Sequence, residues 1–394
     1  MKETPEFVWR PFDPKVLENP YPMYAWLRNN APVFLSSSGE WVITRYQDIK
    51  AILKDTRFKT GHRVEWLKKA SVKAKEQGSS FDTLVEALSV FLVFKNPPEH
   101  TQIRKLVSQA WSDRSVDSLI KDNVQFIFKN TDWHNCDFAK DVAEQLPTLT
   151  MAGILGLPLS DRQYLSDMSR DMSKSMDMYL RLSDLTVLQD TVSRMVTYFT
   201  EHIEHKKKNP DESLMSKLVV VNNNVLSIHE LCSLCIFLLI SGKETTASTI
   251  SLGMMNLLQH NKIDDMKSAE GGVDELLRYD APVQVAWRTC MEETEINGYV
   301  FPAGSRLILC LGSANRDEVE FENPDELNFH RRNHHVAFGS GIHYCMGDWL
   351  AKAEATIVFR ELFNNFKTFE LTGKPVYREN LILRILLSLP LKAQ

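Results

Sequence analysis

The six cysteines of this 394-residue chain, at 136, 232, 235, 290, 310 and 345, are scattered and sit mostly in apolar surroundings, which suits a reducing compartment rather than a disulfide framework. No Gly-x-Gly-x-x-Gly segment and no cysteine cluster is present, so no built-in flavin, dinucleotide or iron–sulfur centre can be read from the chain. Long apolar runs are missing. The longest, Cys235 to Ile240, is far too short to span a bilayer, and the polar start Met1-Lys2-Glu3-Thr4-Pro5-Glu6 leads into no signal-peptide core. Positive charge is in deficit, with a formal net charge of −5, which argues against a general nucleic-acid binder. Repeats, low-complexity tracts and proline-rich linkers are absent too. The expectation is a single domain over residues 1–394, cytoplasmic, with neither membrane nor nucleic acid as partner.

With 43% hydrophobic and 25% charged residues, the chain can bury a large core and still enclose a cofactor. Prolines punctuate residues 11–22, and Met23 to Asn29 reads as a helix. Pro32-Val33-Phe34-Leu35 and Trp41-Val42-Ile43-Thr44 alternate like paired strands. From Pro98 to about His260 the pattern is almost continuously helical, and after Pro282 short strands return, with Pro302-Ala303-Gly304 as a turn. The class is therefore mainly α with small β-sheets. The Cys232-x-x-Cys235 pair lies in a helical apolar pattern and reads as two core thiols; the lysine run 206–208 reads as a solvated helix end.

Two stretches carry chemistry. Phe338-Gly339-Ser340-Gly341-Ile342-His343-Tyr344-Cys345-Met346-Gly347 is a short loop ahead of a helix from Asp348 to Phe363. Glycines at 339, 341 and 347 allow backbone conformations closed to other residues and close approach to a flat ligand. The helix start beyond Cys345 favours a thiolate, and Phe338 can cover one side of the sulfur. Zinc is a competing reading, because His334, His335, His343 and Cys345 lie close in sequence, but no second ligand pair balances them. The other stretch begins at Ser227-Ile228-His229-Glu230, a capping box that opens a helix to about His260. Its first half is apolar nearly all round, so it should be central and buried. Ser241-Gly242-Lys243-Glu244-Thr245-Thr246 then places polar groups in mid-helix, where they cost stability unless paired or functional, and where a glycine followed by threonine can kink the helix. Lys243 and Glu244 are adjacent and are not expected to face each other.

The cysteine loop resembles that of the cytochrome P450 family, Phe-Gly-x-Gly-x-His-x-Cys-x-Gly, with every named position filled. The resemblance implies haem b (iron protoporphyrin IX) held between the long central helix and the cysteine-loop helix. Cys345 would be the iron ligand, a thiolate of the kind that promotes O–O cleavage. The 241–246 segment resembles the family's oxygen-binding motif, with Ser241 in place of the usual alanine or glycine; Thr245 would hydrogen-bond the activated oxygen and Glu244 would relay protons. Glu275-Leu276-Leu277-Arg278 matches the family's Glu-x-x-Arg, 67 residues before Cys345, and 321–331 resembles the segment that supplies its third member, Arg331. His100 and Arg104 (in 97–104), Arg288 (in 282–288), His343 and, more weakly, His335 are the candidates for the haem carboxylates, with Phe338, Gly339 and Gly347 framing the loop. One departure is a short 260–272 connection.

In the family, 81–94, 168–190, 283–287 and 382–389 line the substrate pocket, and here 81–94 is apolar. The implied activity is insertion of one oxygen atom from O2 into an apolar, medium-to-large small molecule, with electrons from a separate ferredoxin or flavodoxin plus reductase. The alternative is a non-catalytic haem-thiolate binding or sensor protein, which would need Cys345 but not the acid–threonine pair.

Overall fold

In the computed structural model, residues 9–394 are described except 113, 114, 178, 179, 270 and 333. The polar start at residues 1–6 and part of the 168–190 stretch therefore lie outside the described residues. Val33–Leu35 pairs antiparallel with Glu40–Ile43, with Val33 opposite Ile43 and Leu35 opposite Trp41. Glu40–Ile43 runs parallel to Arg306–Cys310, which pairs with Val285–Cys290, and Phe58–Lys59 completes a five-stranded sheet. Arg288 lies in this sheet, opposite Leu307. The Tyr21–Asn30 helix precedes it.

Helices dominate between, but one strand falls where the pattern reads as helix. Cys136–Asp137 pairs with Pro390–Ala393, which also pairs with Phe369–Leu371. Two residues leave too little alternation to be seen in sequence, and their partner lies more than 250 positions away. The lysine run also differs from expectation. Lys206 is buried and ion-paired to Asp211, while Lys207 reaches Glu204 at the surface. Cys232 and Cys235 are buried free thiols, and burial pushes the Cys235 thiol far up, as befits inert core residues.

The central helix runs from Ile228 to Gln259. Its capping box is formed: Ser227 Oγ accepts from Glu230 N at 3.3 Å, and Ser227 N donates to Glu230 Oε2 at 2.9 Å. It is long and apolar enough to cross a membrane as a whole, unlike the short run read from the sequence, but it is the core helix of the fold. Gly253 lets the Asp348–Asn365 helix pack close, since a Cβ there would stand 2.9 Å from both the Phe359 ring and Leu276. The helix that follows the cysteine loop is thus locked to the central one.

Candidate haem-thiolate site

The cysteine loop is shaped by two left-handed glycines. Gly339 has φ +73° and donates to Val336 O at 2.9 Å; Gly341 has φ +68°. A Cβ on Gly341 would lie 2.5 Å from Leu53 O, so the loop abuts the end of the Tyr46–Lys54 helix. Gly347 behaves differently from the expectation. Its φ is −98°, it caps the Asp348–Asn365 helix, and a Cβ there would meet nothing within 4 Å. Cys345 N donates to Phe338 O at 3.0 Å, and the Phe338 ring packs edge-on against Tyr344 with the Lys352 ammonium 5.4 Å from its centre.

The buried sulfur of Cys345 is under opposing influences. Burial pushes its pKa up and Asp348 adds to that, while the Gly347 and Asp348 backbone and the Arg104 charge pull the other way and lose. Desolvation thus outweighs the pull of the helix start on this sulfur. A metal cation bound to the sulfur would remove the proton outright.

Four basic side chains from three segments converge beside the loop. The His100 and His343 rings lie 4.5 Å apart. Burial, then the charges of Arg288, His100 and Arg104, push His343 down to about 3. Burial brings Arg288 down to about 10, and among the described residues its guanidinium donates only to Trp287 O, at 2.7 Å. Arg104 donates to Tyr344 O at 2.8 Å. No carboxylate is ion-paired to Arg288 or Arg104 among the described residues. A buried guanidinium without a counter-ion is costly, and the two carboxylates of haem fit this cluster in charge.

His335 does not join it. Its Nε2 donates to Asp274 Oδ1 at 3.2 Å and its Nδ1 accepts from Ala337 N at 3.2 Å, so both nitrogens are engaged. Lys352 reaches the same carboxylate at 2.7 Å. His335 braces the loop from the side of the Gly272–Tyr279 helix. His334 turns instead to Glu320, so the histidines near Cys345 do not converge as a zinc site would require.

On the central helix, every residue from Leu231 to Leu257 is buried except Phe237, Ser241, Gly242 and Thr245. Three of these recur every four residues and form one uncovered stripe. Gly242 has its own reason, because a Cβ there would touch Met151 Sδ at 2.8 Å. The α-helix continues without a break through 241–246. Ser241 Oγ donates to Phe237 O at 2.7 Å and Thr245 Oγ1 to Ser241 O at 3.0 Å, so the hydroxyls fold back on their own helix. Contrary to expectation, Lys243 Nζ does reach Glu244 Oε1, at 3.1 Å, because its long stem bends back along the helix surface.

The Glu275 carboxylate takes Arg278 Nε and Nη2 at 2.7 and 2.8 Å, and Arg331 Nε stands 3.6 Å from it. The remaining Arg278 protons go to the carbonyls of Asn315, Pro324 and Glu326. Sequence reasoning missed Asp274 and Lys352, and it missed Glu354. That glutamate is fully buried in the cysteine-loop helix, and its position in an apolar stretch, before Ala355, was the signal.

A family model described as "Cytochrome P450" matches residues 259–392. The polyketide biosynthesis cytochrome P450 PksS of Bacillus subtilis (strain 168) is 30% identical, over 98% of both chains. The biotin biosynthesis cytochrome P450 of the same organism is 31% identical over 92% of this chain and 94% of its own. Among solved structures, P450BioI in complex with a hexadec-9Z-enoic acid-ligated acyl carrier protein superposes with a TM-score of 0.88, at 31% identity, covering 96% of this chain and all of that one.

Proposed function

This chain belongs to the cytochrome P450 family, and from that premise we propose that it inserts one oxygen atom from O2 into an apolar, medium-to-large small molecule, with electrons from a separate ferredoxin or flavodoxin and its reductase. The family's cofactor is haem b, and its named members are monooxygenases. Hydroxylation or epoxidation in a biosynthetic pathway, in the cytoplasm, is the setting this reading favours. It rests first on the uncovered stripe of Phe237, Ser241 and Thr245 in a helix otherwise buried from Leu231 to Leu257. An apolar ring and two hydroxyls on one face suit an apolar substrate beside a site that handles oxygen.

When bound, haem supplies the iron at which dioxygen is reduced and its bond cleaved. Cys345 Sγ would hold the iron from the loop side, with Phe338 and Gly339 setting the loop's shape. Arg288, Arg104, His100 and His343 would hold the two carboxylates, and the unpaired Arg288 has most to gain. Thr245 Oγ1 would leave Ser241 O to hold a proton over the stripe, and Glu244 would refill it from solvent. Substrate would meet the wall built by 81–94, where Leu84, Leu88 and Phe91 are buried and Phe91 lies 5.2 Å from Phe237, ring to ring. Much of that stretch also packs in the core. A sensor would need the loop and cations but no acid–threonine pair beside the stripe, which favours the enzyme.

The test is the absorption spectrum of the reduced, carbon-monoxide-bound protein beside Cys345→Ala. A thiolate-type band lost in the variant supports the assignment; a spectrum untouched by the mutation removes Cys345 as ligand.

A further inference from the structure

Lys243 is completely buried in the central helix, between a glycine and a glutamate, and oxygen handling as described above gives it no task. Its Nζ donates to Glu244 Oε1 at 3.1 Å and to Ser166 O at 3.2 Å, in the Arg162–Ser173 helix. At about 100° per residue, Lys243 points away from the stripe that carries Ser241 and Thr245, and Glu244 falls between the two faces. The carboxylate therefore sits at the edge of the stripe, drawn back toward the neighbouring helix. An ammonium is expensive to desolvate, so a fully buried one that ends on an adjacent carboxylate and a single carbonyl asks for a reason.

We propose that Lys243 is a positioning residue for proton supply: it fixes the Glu244 carboxylate between the Arg162–Ser173 helix and Thr245, and so governs how well Glu244 passes a proton toward Thr245 Oγ1. The inference rests on Glu244 and Thr245 forming the relay proposed above. The proton comes from solvent to a Glu244 oxygen and passes to the Thr245 hydroxyl, whose own proton goes to the O2 being reduced with electrons from the ferredoxin; no other bond changes. Without the ammonium, the carboxylate loses the anchor that ties it to the Arg162–Ser173 helix. Ser166 O gives the tie a second fixed point, so the acid is held relative to two helices.

The experiment is a double-mutant cycle on the holoenzyme with Lys243→Met, Glu244→Gln and the pair combined. A surrogate ferredoxin and its reductase drive oxygen consumption without added substrate. The quantity read is the partition of consumed oxygen between hydrogen peroxide and water, which reports proton supply. Lys243→Met should raise the peroxide-to-water ratio roughly threefold or more, and the double variant should match Glu244→Gln rather than multiply the two effects. Multiplication of the two effects, or no change in Lys243→Met, overturns the inference. A Glu244→Gln enzyme with wild-type partition overturns the relay itself, and the inference falls with it; the two failures are thus told apart. Thermal unfolding of the same four proteins gives a reading independent of turnover. Lys243→Met alone should melt below the double variant, because it leaves a buried carboxylate unpaired. The reverse order would mean that the lysine does not hold Glu244.

Discussion

Glu275 and Arg278 form a two-point ion pair one turn apart on the Gly272–Tyr279 helix, with side chains 1% and 0% exposed. Such a pair survives only if every remaining proton is taken up, and three backbone carbonyls from 315, 324 and 326 do this for Arg278. Asn328 N donates to Glu275 Oε1, the oxygen that also takes Arg278 Nη2, at 2.8 Å. The pair thus pins the segment before the cysteine loop to the helix that braces it.

Replacing Glu275 with glutamine leaves Arg278 buried with no counter-ion. The expected loss is about 3–5 kcal/mol of folding stability. Urea unfolding of the haem-free chain measures it, and an unchanged midpoint would mean that the pair does not hold the fold.

Much of this frame was legible. The glycines at 339 and 341, the capping box at Ser227 and the Glu-x-x-Arg spacing are local patterns, and backbone geometry or helix periodicity fixes what each can do. The Lys243–Glu244 contact was not legible, because the face-per-residue rule ignores how far a lysine stem can bend. His335 was misplaced for a related reason: closeness to Cys345 in sequence says nothing about Asp274, which comes from another helix. The Cys136 strand depends on a C-terminal partner that only the folded chain brings near.

Arg288 offers a test in which one substitution moves two quantities in opposite directions. Its guanidinium is buried and, among the described residues, meets a single carbonyl. Arg288→Met should make the haem-free chain more stable by about 1–3 kcal/mol, since a lone buried charge is removed. The same change should lower haem retention, read as faster transfer to an acceptor protein, because a partner for a haem carboxylate is gone. If both quantities fall together, the residue is a structural cation.

Glu354 predicts a pH effect on stability. Burial raises its pKa to about 8, and Thr150 Oγ1 is turned to Leu146 O, so neither carboxyl oxygen has a hydrogen bond among the described residues. The folded chain keeps the proton that the unfolded chain loses above about 4.5. Stability from this group is therefore full at low pH and declines as pH rises toward 8. Glu354→Gln should flatten the profile between pH 5.5 and 8 and gain about 1–3 kcal/mol at the upper end. Melting curves across that range decide it; parallel profiles would show that Glu354 is solvated.

Thr245→Ala removes a hydroxyl whose resting bond is to its own helix, so folding should change by less than about 1 kcal/mol. The carbon-monoxide spectrum should be retained. Product formed per electron consumed should drop by about tenfold or more, with peroxide taking up the difference. Unchanged coupling would remove Thr245 from the proton path.

Two glycines of the cysteine loop should part company. Gly341→Ala forces a side chain into the left-handed region and sets its Cβ 2.5 Å from Leu53 O, which is backbone and cannot swing aside. The haem-free variant should lose about 2–4 kcal/mol, from the strained conformation together with the displacement of the Tyr46–Lys54 helix. Gly347→Ala meets neither obstacle, with φ −98° and no atom within 4 Å of the added methyl. Haem-free, it should unfold within about 0.5 kcal/mol of the wild type. Gly347 lies two residues from the sulfur, so an added methyl would crowd haem held by Cys345, and the same variant should retain less haem. Titration of both haem-free proteins with hemin separates the two roles. If Gly347→Ala binds haem as the wild type does, the glycine at that position serves the helix cap alone.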